Sequence, residues 1–251
     1  MLEFIDVTKK FGSKEVLRGV SFKVEDGETL VVVGPSGTGK SVTLKHIVGL
    51  LSPTSGEITY HGKSILGLKG KELRQLRGNF GMLFQSGALL AWLTVEQNIA
   101  LPLIEQRKMK IKDIQAKVDK TIEMLGLEGS EGKYPSEISG GMRKRVGLAR
   151  AIVTEPKLIL YDEPTSGLDP VMSRHIDKLI KDMQEELGVT AIVVTHDLHS
   201  AFSIGDRVAM LHEGKIIEIG PPGEFVKSEN QFVQEFIKAQ FSAGYIEGIQ
   251  I

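Results

Sequence analysis

The chain has 251 residues, of which 41% are hydrophobic and 25% charged, and a formal net charge of −1. This composition is typical of a globular protein, and it gives no sign of a nucleic-acid partner. The absence of cysteine from the sequence excludes disulfide bonds, thiolate metal sites and cysteine nucleophiles. The N-terminal residues do not resemble a signal peptide, and the apolar runs are far shorter than the roughly 20 residues of a membrane span. We therefore expect any role at a membrane to depend on partner subunits.

Strands are predicted first at residues 2–7 and 16–24. Three later runs are almost continuously apolar, as in strands buried on both faces of a parallel sheet. They span residues 28–34, 157–163 and 189–197. Helical patterns at 40–50 and 170–187 alternate with them, which favours a doubly wound α/β core.

The middle of the chain, residues 87–156, has helical periodicity and little strand signal, so we interpret it as a helical subdomain inserted into the core. Short strands and a helix near 230–240 follow the core. The predicted organisation is a core from 1–86 and 157–229, an inserted subdomain at 87–156, and a C-terminal helix and tail at 230–251.

The segment GPSGTGKS at 34–41 matches G-x-x-x-x-G-K-[ST] between a predicted strand and a helix. Its glycines allow successive N–H groups to face a phosphate, and the helix N-terminus adds positive partial charge. Lys40 is expected to reach the β- and γ-phosphates, and the Ser41 hydroxyl to bind Mg²⁺. The strand and helix disfavour the alternative of a plain glycine turn. The nucleotide-binding residues predicted here are Gly34, Pro35, Ser36, Gly37, Thr38, Gly39, Lys40, Ser41 and Val42.

Polar residues also follow the other predicted strands. Asp162 is placed to hold Mg²⁺ and Glu163 to act as a general base, although two acids could instead cap the next helix. His196 follows the third buried strand, where it could contact the γ-phosphate, but a lone histidine is more often structural. Gln85 follows a short strand at 81–84, where its amide could touch Mg²⁺ or the attacking water.

A second phosphate-binding turn is predicted in PSEISGGMRKR, residues 135–145, where Ser139 precedes two glycines and a helix. The basic run Arg143–Arg145 ends this segment. This run either adds positive potential near the phosphates or forms a solvated helix face, and the sequence favours the second interpretation.

Together, GPSGTGKS, Gln85, ISGGM, LILYDEPTSGLD and His196 resemble the ATPase subunit of ABC transporters in order and spacing over residues 1 to about 225. The resemblance implies a RecA-like P-loop NTPase fold with a mixed sheet, an N-terminal antiparallel β region and an inserted α-helical subdomain. It also implies that Asp162 and Glu163 are the Walker B acid and the catalytic base, Gln85 the Q-loop residue and His196 the switch histidine. Ser139, Gly140 and Gly141 would bind ATP held by a second chain. Asp169 ends the D-loop, and Phe11 would stack on adenine, with packing of this loop residue under the sheet as the alternative.

The resemblance implies ATP and Mg²⁺ as ligands, and an ATP-bound homodimer on the cytoplasmic face of the inner membrane. Expected partners are transmembrane permease subunits, an accessory regulatory subunit and a substrate-binding protein, with no nucleic acid. Met142 replaces the usual glutamine of the signature, and FQSGALL with SGGM resembles Mla/Mce-type lipid-transport ATPases. Ala91-Trp92 departs from that subgroup. Amino-acid, lipoprotein and metal transport, a soluble ABC ATPase and a regulatory module without turnover stay open as alternatives.

The C-terminal end is rich in apolar residues. Phe232, Phe236 and Ile237 form a helical stripe expected to pack on the core. The apolar residues beyond it are predicted either to dock on a second chain or an accessory subunit, or to fray or pack on their own chain. They are Phe241, Tyr245, Ile246, Ile249 and Ile251.

Overall fold

The computed structural model describes residues 1–106 and 109–241. The chain divides into two compact units, one of Met1–Leu73 with Thr190–Ile251 and the other of Arg74–Val189. The first boundary falls inside helix α2, Gly70–Arg77. The predicted domain boundaries at 86/87, 156/157 and 229/230 stay a prediction.

The first unit contains an antiparallel sheet with the strand order β2-β1-β4-β5. These strands are β1 (Leu2–Phe11), β2 (Lys14–Val24), β4 (Ser55–Tyr60) and β5 (Lys63–Ser64). Leu2 pairs with Val24 on one side and Tyr60 on the other. One face of the sheet is buried, and Phe4 stacks on Phe22 there with ring centroids 4.5 Å apart. The sheet confirms the predicted antiparallel region.

A second sheet in this unit runs in the order β10-β9-β3-β8. Its strands are β3 (Thr29–Val33), β8 (Thr190–Thr195), β9 (Arg207–His212) and β10 (Lys215–Gly220). Strand β3 is parallel to β8 and β9, whereas β10 is antiparallel to β9, so the sheet is mixed as predicted. Every residue of β3 is buried, which explains its uninterrupted apolar sequence. The helices of this unit are α1 (Lys40–Ile47), α7 (Leu198–Ile204), α8 (Pro222–Phe225) and α9 (Gln231–Gln240).

The second unit is mostly helical, with one pair of parallel strands, β6 (Phe80–Leu83) and β7 (Leu158–Asp162). Its helices are α3 (Val95–Gln106), α4 (Ile111–Met124), α5 (Gly140–Ile152) and α6 (Pro170–Leu187). Helix α6 has the predicted bounds because Asp169 caps its start and Gly188, with φ 60°, ends it. Helix α5 lies so close to β6 that a Cβ on Gly81 would meet the Ala151 carbonyl oxygen at 2.3 Å.

Within residues 1–106 and 109–241, no helix is both long enough and apolar enough to cross a membrane.

His46 is buried in α1, where its Nδ1 lies 2.7 Å from the Val42 carbonyl oxygen. Its Nε2 is buried and has no hydrogen-bond partner within the described part of the chain. Burial therefore lowers the pKa of His46 from its ordinary value of 6.5, and nearby Lys9 lowers it further, although backbone hydrogen bonding opposes both effects.

This pKa predicts that the protein loses stability in mild acid. Below about pH 6.5 the unfolded chain binds more protons than the folded chain at His46, so the free energy of unfolding falls as pH falls. The slope from this group is at most about 1.4 kcal/mol per pH unit. Urea unfolding between pH 8 and 5 measures it, and His46→Gln should flatten the dependence, whereas the exposed control His175→Gln should not. Equal slopes in wild type and His46→Gln would contradict the prediction.

Candidate functional site

The loop between β3 and α1, residues 34–39, has a backbone path that requires glycine. Gly34, Gly37 and Gly39 have φ angles of 153°, 82° and 108°. A Cβ on Gly34 would lie 2.3 Å from the Leu211 carbonyl oxygen, and one on Gly39 would lie 2.8 Å from a Leu17 methyl carbon. The loop therefore lies flush against β9 and β2, and helix α1 begins directly after it. This is the strand–loop–helix geometry of a phosphate-binding loop.

Lys40 is almost fully buried and lies over this loop. Its ammonium group donates to the Gly34 carbonyl at 2.7 Å and to the Pro35 carbonyl at 3.1 Å. Thr38 also closes the loop, through a 2.9 Å hydrogen bond to Pro35. Ser41 is partly exposed in the first turn of α1. A cation, loop amides and a helix N-terminus are thus gathered at one place, which suits an anionic phosphate chain.

A cavity of about 300 Å³ adjoins the loop within the first unit. Its lining includes Ser36 and Thr38 of the loop, Lys14 and Val16 of β2, and His212 and Phe232. Phe11 does not line it. Phe11 is 45% exposed, with the Lys9 ammonium 5.0 Å from its ring centroid, so the alternative that it packs under the sheet is wrong.

His196 follows β8 and is exposed, and the far end of the C-terminal helix holds its main chain. The Gln240 amide donates to the His196 carbonyl at 2.8 Å and accepts from the Leu198 N–H at 2.9 Å. Phe241 is buried beside it, with its ring 4.2 Å from that of His199 and 5.9 Å from that of Phe202. Phe241 therefore packs on its own chain, and its predicted docking elsewhere is wrong. The other four predicted docking residues, from Tyr245 onward, lie outside the described residues.

The predicted stripe on α9 does pack. Ile237 is buried, Phe232 stacks on His212 with ring centroids 3.6 Å apart, and the half-buried Phe236 lies 6.4 Å from Phe232. Val233, which was not predicted, is buried as well.

The amide bridge of Gln240 can be tested directly. Gln240→Ala removes the acceptor of the Leu198 N–H, so hydrogen exchange of that amide should rise about fivefold, the factor for about 1 kcal/mol. Gln234→Ala is the matched control. Gln234 is a glutamine on the same helix, α9, but its side chain donates to the Val226 and Ser228 carbonyls. Unchanged exchange of the Leu198 amide in Gln240→Ala, or an equal rise in both variants, would contradict the prediction.

In the second unit, Asp162 ends β7 and Glu163 follows it, and both are buried. The alternative that they cap the next helix is wrong. Asp169 caps α6, accepting from the Val171 and Met172 N–H groups at 3.0 Å. Glu163 has a left-handed φ of 49°, an unfavourable backbone conformation for a residue with a side chain. Two buried carboxyl groups at a strand end, one of them on a strained backbone, are typical of a catalytic site.

Gln85 lies in the same unit and is connected to the segment after β7. Its side-chain amide donates to the Ser166 hydroxyl at 3.3 Å. The main-chain carbonyl oxygen of Gln85 accepts from the ammonium of Lys144, which also donates to the main-chain carbonyl of Glu163 at 3.1 Å. The structure therefore brings the predicted Q-loop residue and the predicted base together through one lysine.

Lys144 is 6% exposed, so the solvated-face interpretation of the basic run is wrong for it. Burial lowers the pKa of its ammonium, while the neighbouring carboxyl groups of Glu163 and Asp162 raise it. Arg143 donates to the Ile138 carbonyl at 2.7 Å, and Arg145 donates to the Leu125 and Gly126 carbonyls at 2.9 and 2.7 Å. The three basic side chains thus donate hydrogen bonds to main-chain carbonyls of the second unit.

The second predicted phosphate-binding turn has the expected geometry. Ser139 is exposed and caps α5, accepting from the Met142 N–H at 3.2 Å. Gly141 is buried, and a Cβ there would lie 2.6 Å from the terminal methyl of Met172. The first turn of α5 thus presents main-chain N–H groups beside the Ser139 hydroxyl, which is the arrangement expected of the predicted anion-binding turn.

The chemistry of the predicted metal-binding residues fits Mg²⁺. No group of three or more histidine or acidic side chains that could hold a metal occurs within residues 1–106 and 109–241. Magnesium does not need such a group, because it is held mainly by substrate phosphates with one or two protein oxygens. Asp162, the Ser41 hydroxyl and the Gln85 amide oxygen are hard donors of that kind.

Comparison with known proteins identifies the family. The family model described as "ABC transporter" matches residues 17–166. The chain is 41% identical to a probable ribonucleotide transport ATP-binding protein of Mycobacterium leprae, over 95% of this chain and 69% of that protein. It is 43% identical to Protein TRIGALACTOSYLDIACYLGLYCEROL 3 of Arabidopsis thaliana, over 99% of this chain and 75% of that protein. A methionine import ATP-binding protein of Rhizobium etli is 41% identical, over 88% and 61% of the two chains.

Solved structures agree. A dimeric ATP-binding cassette in a post-hydrolysis state, bound to ADP and Pi, superposes with a TM-score of 0.81 at 33% identity, covering 88% of this chain and 99% of that one. A component of the ABC transporter complex cbiONQ of Clostridium perfringens has a TM-score of 0.82 at 31% identity, covering 96% and 95%. The chain belongs to the ABC transporter family, as an ATP-binding and ATP-hydrolysing subunit. The predicted P-loop fold class is thereby confirmed.

Proposed function

We propose that this chain powers lipid transport across a bacterial envelope by hydrolysing ATP as a homodimer, each of whose two sites is shared between the chains. The observation that carries the dimer is the pair of separate anion-binding turns in one chain, at 34–41 and at 139–141. The loop at 34–41 holds the nucleotide phosphates, and the Ser139 turn of the second chain binds its γ-phosphate. Solved relatives that form dimers support this arrangement.

Within each site the residues have separate tasks. Lys40 contributes positive charge to the β- and γ-phosphates, and Phe11 stacks on adenine. Ser41, Asp162 and Gln85 would hold Mg²⁺, which supplies neutralisation of the phosphate charge when bound. Glu163 accepts the proton of the attacking water, and His196 contacts the γ-phosphate. ATP drives closure only because it binds the closed dimer better than the open one.

Lipid is the proposed cargo of the complete transporter. The motifs FQSGALL and SGGM support it, and so does 43% identity to a plant protein named for a diacylglycerol glycolipid. Relatives named for ribonucleotide, methionine and spermidine/putrescine transport define the alternatives. We place the chain peripherally, on the cytoplasmic side of a membrane, with permease subunits and with accessory and substrate-binding partners.

The cargo can be tested on the assembled transporter. A pull-down of this chain from detergent-solubilised membranes should recover membrane-embedded subunits and bound phospholipid. After reconstitution in nanodiscs, the complex should release phosphate faster with added phospholipid than with methionine, spermidine or a ribonucleotide. Stimulation by one of the three polar compounds and not by phospholipid would overturn the lipid assignment, while leaving the ATPase intact.

The role of Glu163 predicts a separation of binding from turnover. Glu163→Gln keeps the side-chain shape and removes the base, so phosphate release should fall about 10²–10⁴-fold. ATP with Mg²⁺ should still bind and should still shift the protein to a dimer on gel filtration. Glu186→Gln, an exposed position on α6, serves as the control and should hydrolyse like the wild type. Turnover by Glu163→Gln within a few-fold of the wild-type rate would place the base elsewhere.

The shared site predicts complementation between two inactive variants. Lys40→Ala damages the phosphate loop, and Ser139→Arg fills the second turn with a side chain that blocks a neighbouring phosphate. In the homodimer of either variant, each of the two sites therefore carries one lesion. A fused dimer of the two variants has one site with both lesions and one intact site. The intact site should bind ATP, and it should support crosslinking between cysteines introduced beside Ser139 and the opposite loop. The two homodimers should show neither property.

If the fused pair binds and crosslinks no better than the homodimers, the shared-site arrangement is wrong.

A further inference from the structure

We propose that Lys144 is a positioning residue for hydrolysis: its buried ammonium fixes the main chain of Gln85 and Glu163 relative to each other and ties both to the helix that begins at Ser139. This inference rests on the proposed roles of those two residues.

The first observation is where the two acceptor carbonyls lie. Strands β6 and β7 are parallel, and their last paired residues are Leu83 and Tyr161. Gln85 and Glu163 each lie two residues beyond that pair, where the regular pairing has ended. The Lys144 ammonium donates to both of their carbonyl oxygens. A side chain thus connects the two strands at the level of the predicted catalytic groups, beyond the last backbone pair.

The second observation is the strain at Glu163. A left-handed backbone conformation costs a residue with a side chain on the order of 1–3 kcal/mol, so surrounding contacts have to maintain it. The Glu163 carbonyl accepts from Lys144 at 3.1 Å and from the Ser166 N–H at 3.2 Å. Loss of the lysine donor removes one of these two contacts and so weakens the support for the left-handed backbone of Glu163. The direction of the Glu163 side chain depends on that backbone conformation.

The third observation is the cost of burying the charge. Moving an ammonium group out of water is unfavourable by several kcal/mol unless hydrogen bonds and opposite charge compensate. A methionine at this position would fill similar space without that cost.

The position of Lys144 within its helix also matters. It lies one and a half turns after Ser139 on α5, so a displacement of the Ser139 turn is transmitted to both carbonyls through a rigid element.

The test compares three substitutions of Lys144 in the full chain. Lys144→Met removes the donor and keeps the length, so kcat for ATP should fall about 10–100-fold, since a misplacement of about 1 Å in a catalytic group has an effect of that size. KM for ATP and ATP-dependent dimer formation should stay within about threefold of wild type. Lys144→Arg and Lys144→Gln keep N–H donors, and at least one of them should recover several-fold of the lost kcat.

Arg145→Met is the matched control. It removes the neighbouring cation on the same helix, whose guanidinium also bridges two carbonyls, but at Leu125 and Gly126, remote in sequence from the predicted catalytic groups. Its kcat should stay within twofold of wild type once the fraction of folded protein is measured by thermal unfolding.

Two outcomes would overturn the inference. One is a kcat for Lys144→Met within twofold of wild type. The other is parallel loss of folding, ATP binding and turnover in all three variants, which would make Lys144 a structural residue only. Failure of the proposed function itself would look different, because the wild-type chain would then release no phosphate from Mg-ATP or Glu163→Gln would remain active.

Discussion

The phosphate-loop geometry of the first unit depends on one steric constraint, the close approach of the loop at 34–39 to strands β9 and β2. Gly34 lies against the Leu211 carbonyl and Gly39 against Leu17, at distances where no Cβ fits. Because the loop is held this closely, its amides and the start of α1 face one place, and Lys40 closes over it through two carbonyl contacts. Any residue larger than glycine would displace the loop from β9 or β2, and the anion-binding geometry would be lost.

In the second unit the polar groups are also held in fixed positions, but by a different kind of contact. Here two parallel strands end side by side, and the buried Lys144 joins the residues that follow them. Asp162 and Glu163 lie after one strand and Gln85 after the other. The same helix that supplies Lys144 begins at the exposed Ser139 cap. The predicted anion-binding turn and the carboxyl groups are therefore parts of one packed arrangement, through which the proposed phosphate contact at Ser139 would affect the proposed catalytic groups.

The sequence predicted most where a local rule determines structure. Continuous apolar runs identified β3, β7 and β8, and the helical pattern at 170–187 matched α6 to the residue, because Asp169 caps its start and Gly188 ends it. It missed β4, β5 and α2, because this polar, glycine-containing stretch buries few side chains, and its strands form by pairing, β4 with β1 and β5 with β4. The burial of Lys144 was missed because this residue stands in a basic run, although Gly141, Leu148 and Ala151 are buried at helical spacing from it on α5. The carbonyls that it meets, like the bridge from Gln240, arise from tertiary packing and leave no signal in local sequence.

The central claim is that hydrolysis requires two chains, because each chain carries half of each site. The most direct measurement is the ATPase activity per milligram of wild-type protein over a dilution series that extends far below its dimerisation constant, determined independently by sedimentation with ATP. The account predicts that this specific activity falls steeply on dilution and is recovered when the same sample is concentrated. A specific activity that stays constant across the whole series would show that a single chain suffices, and would contradict the account.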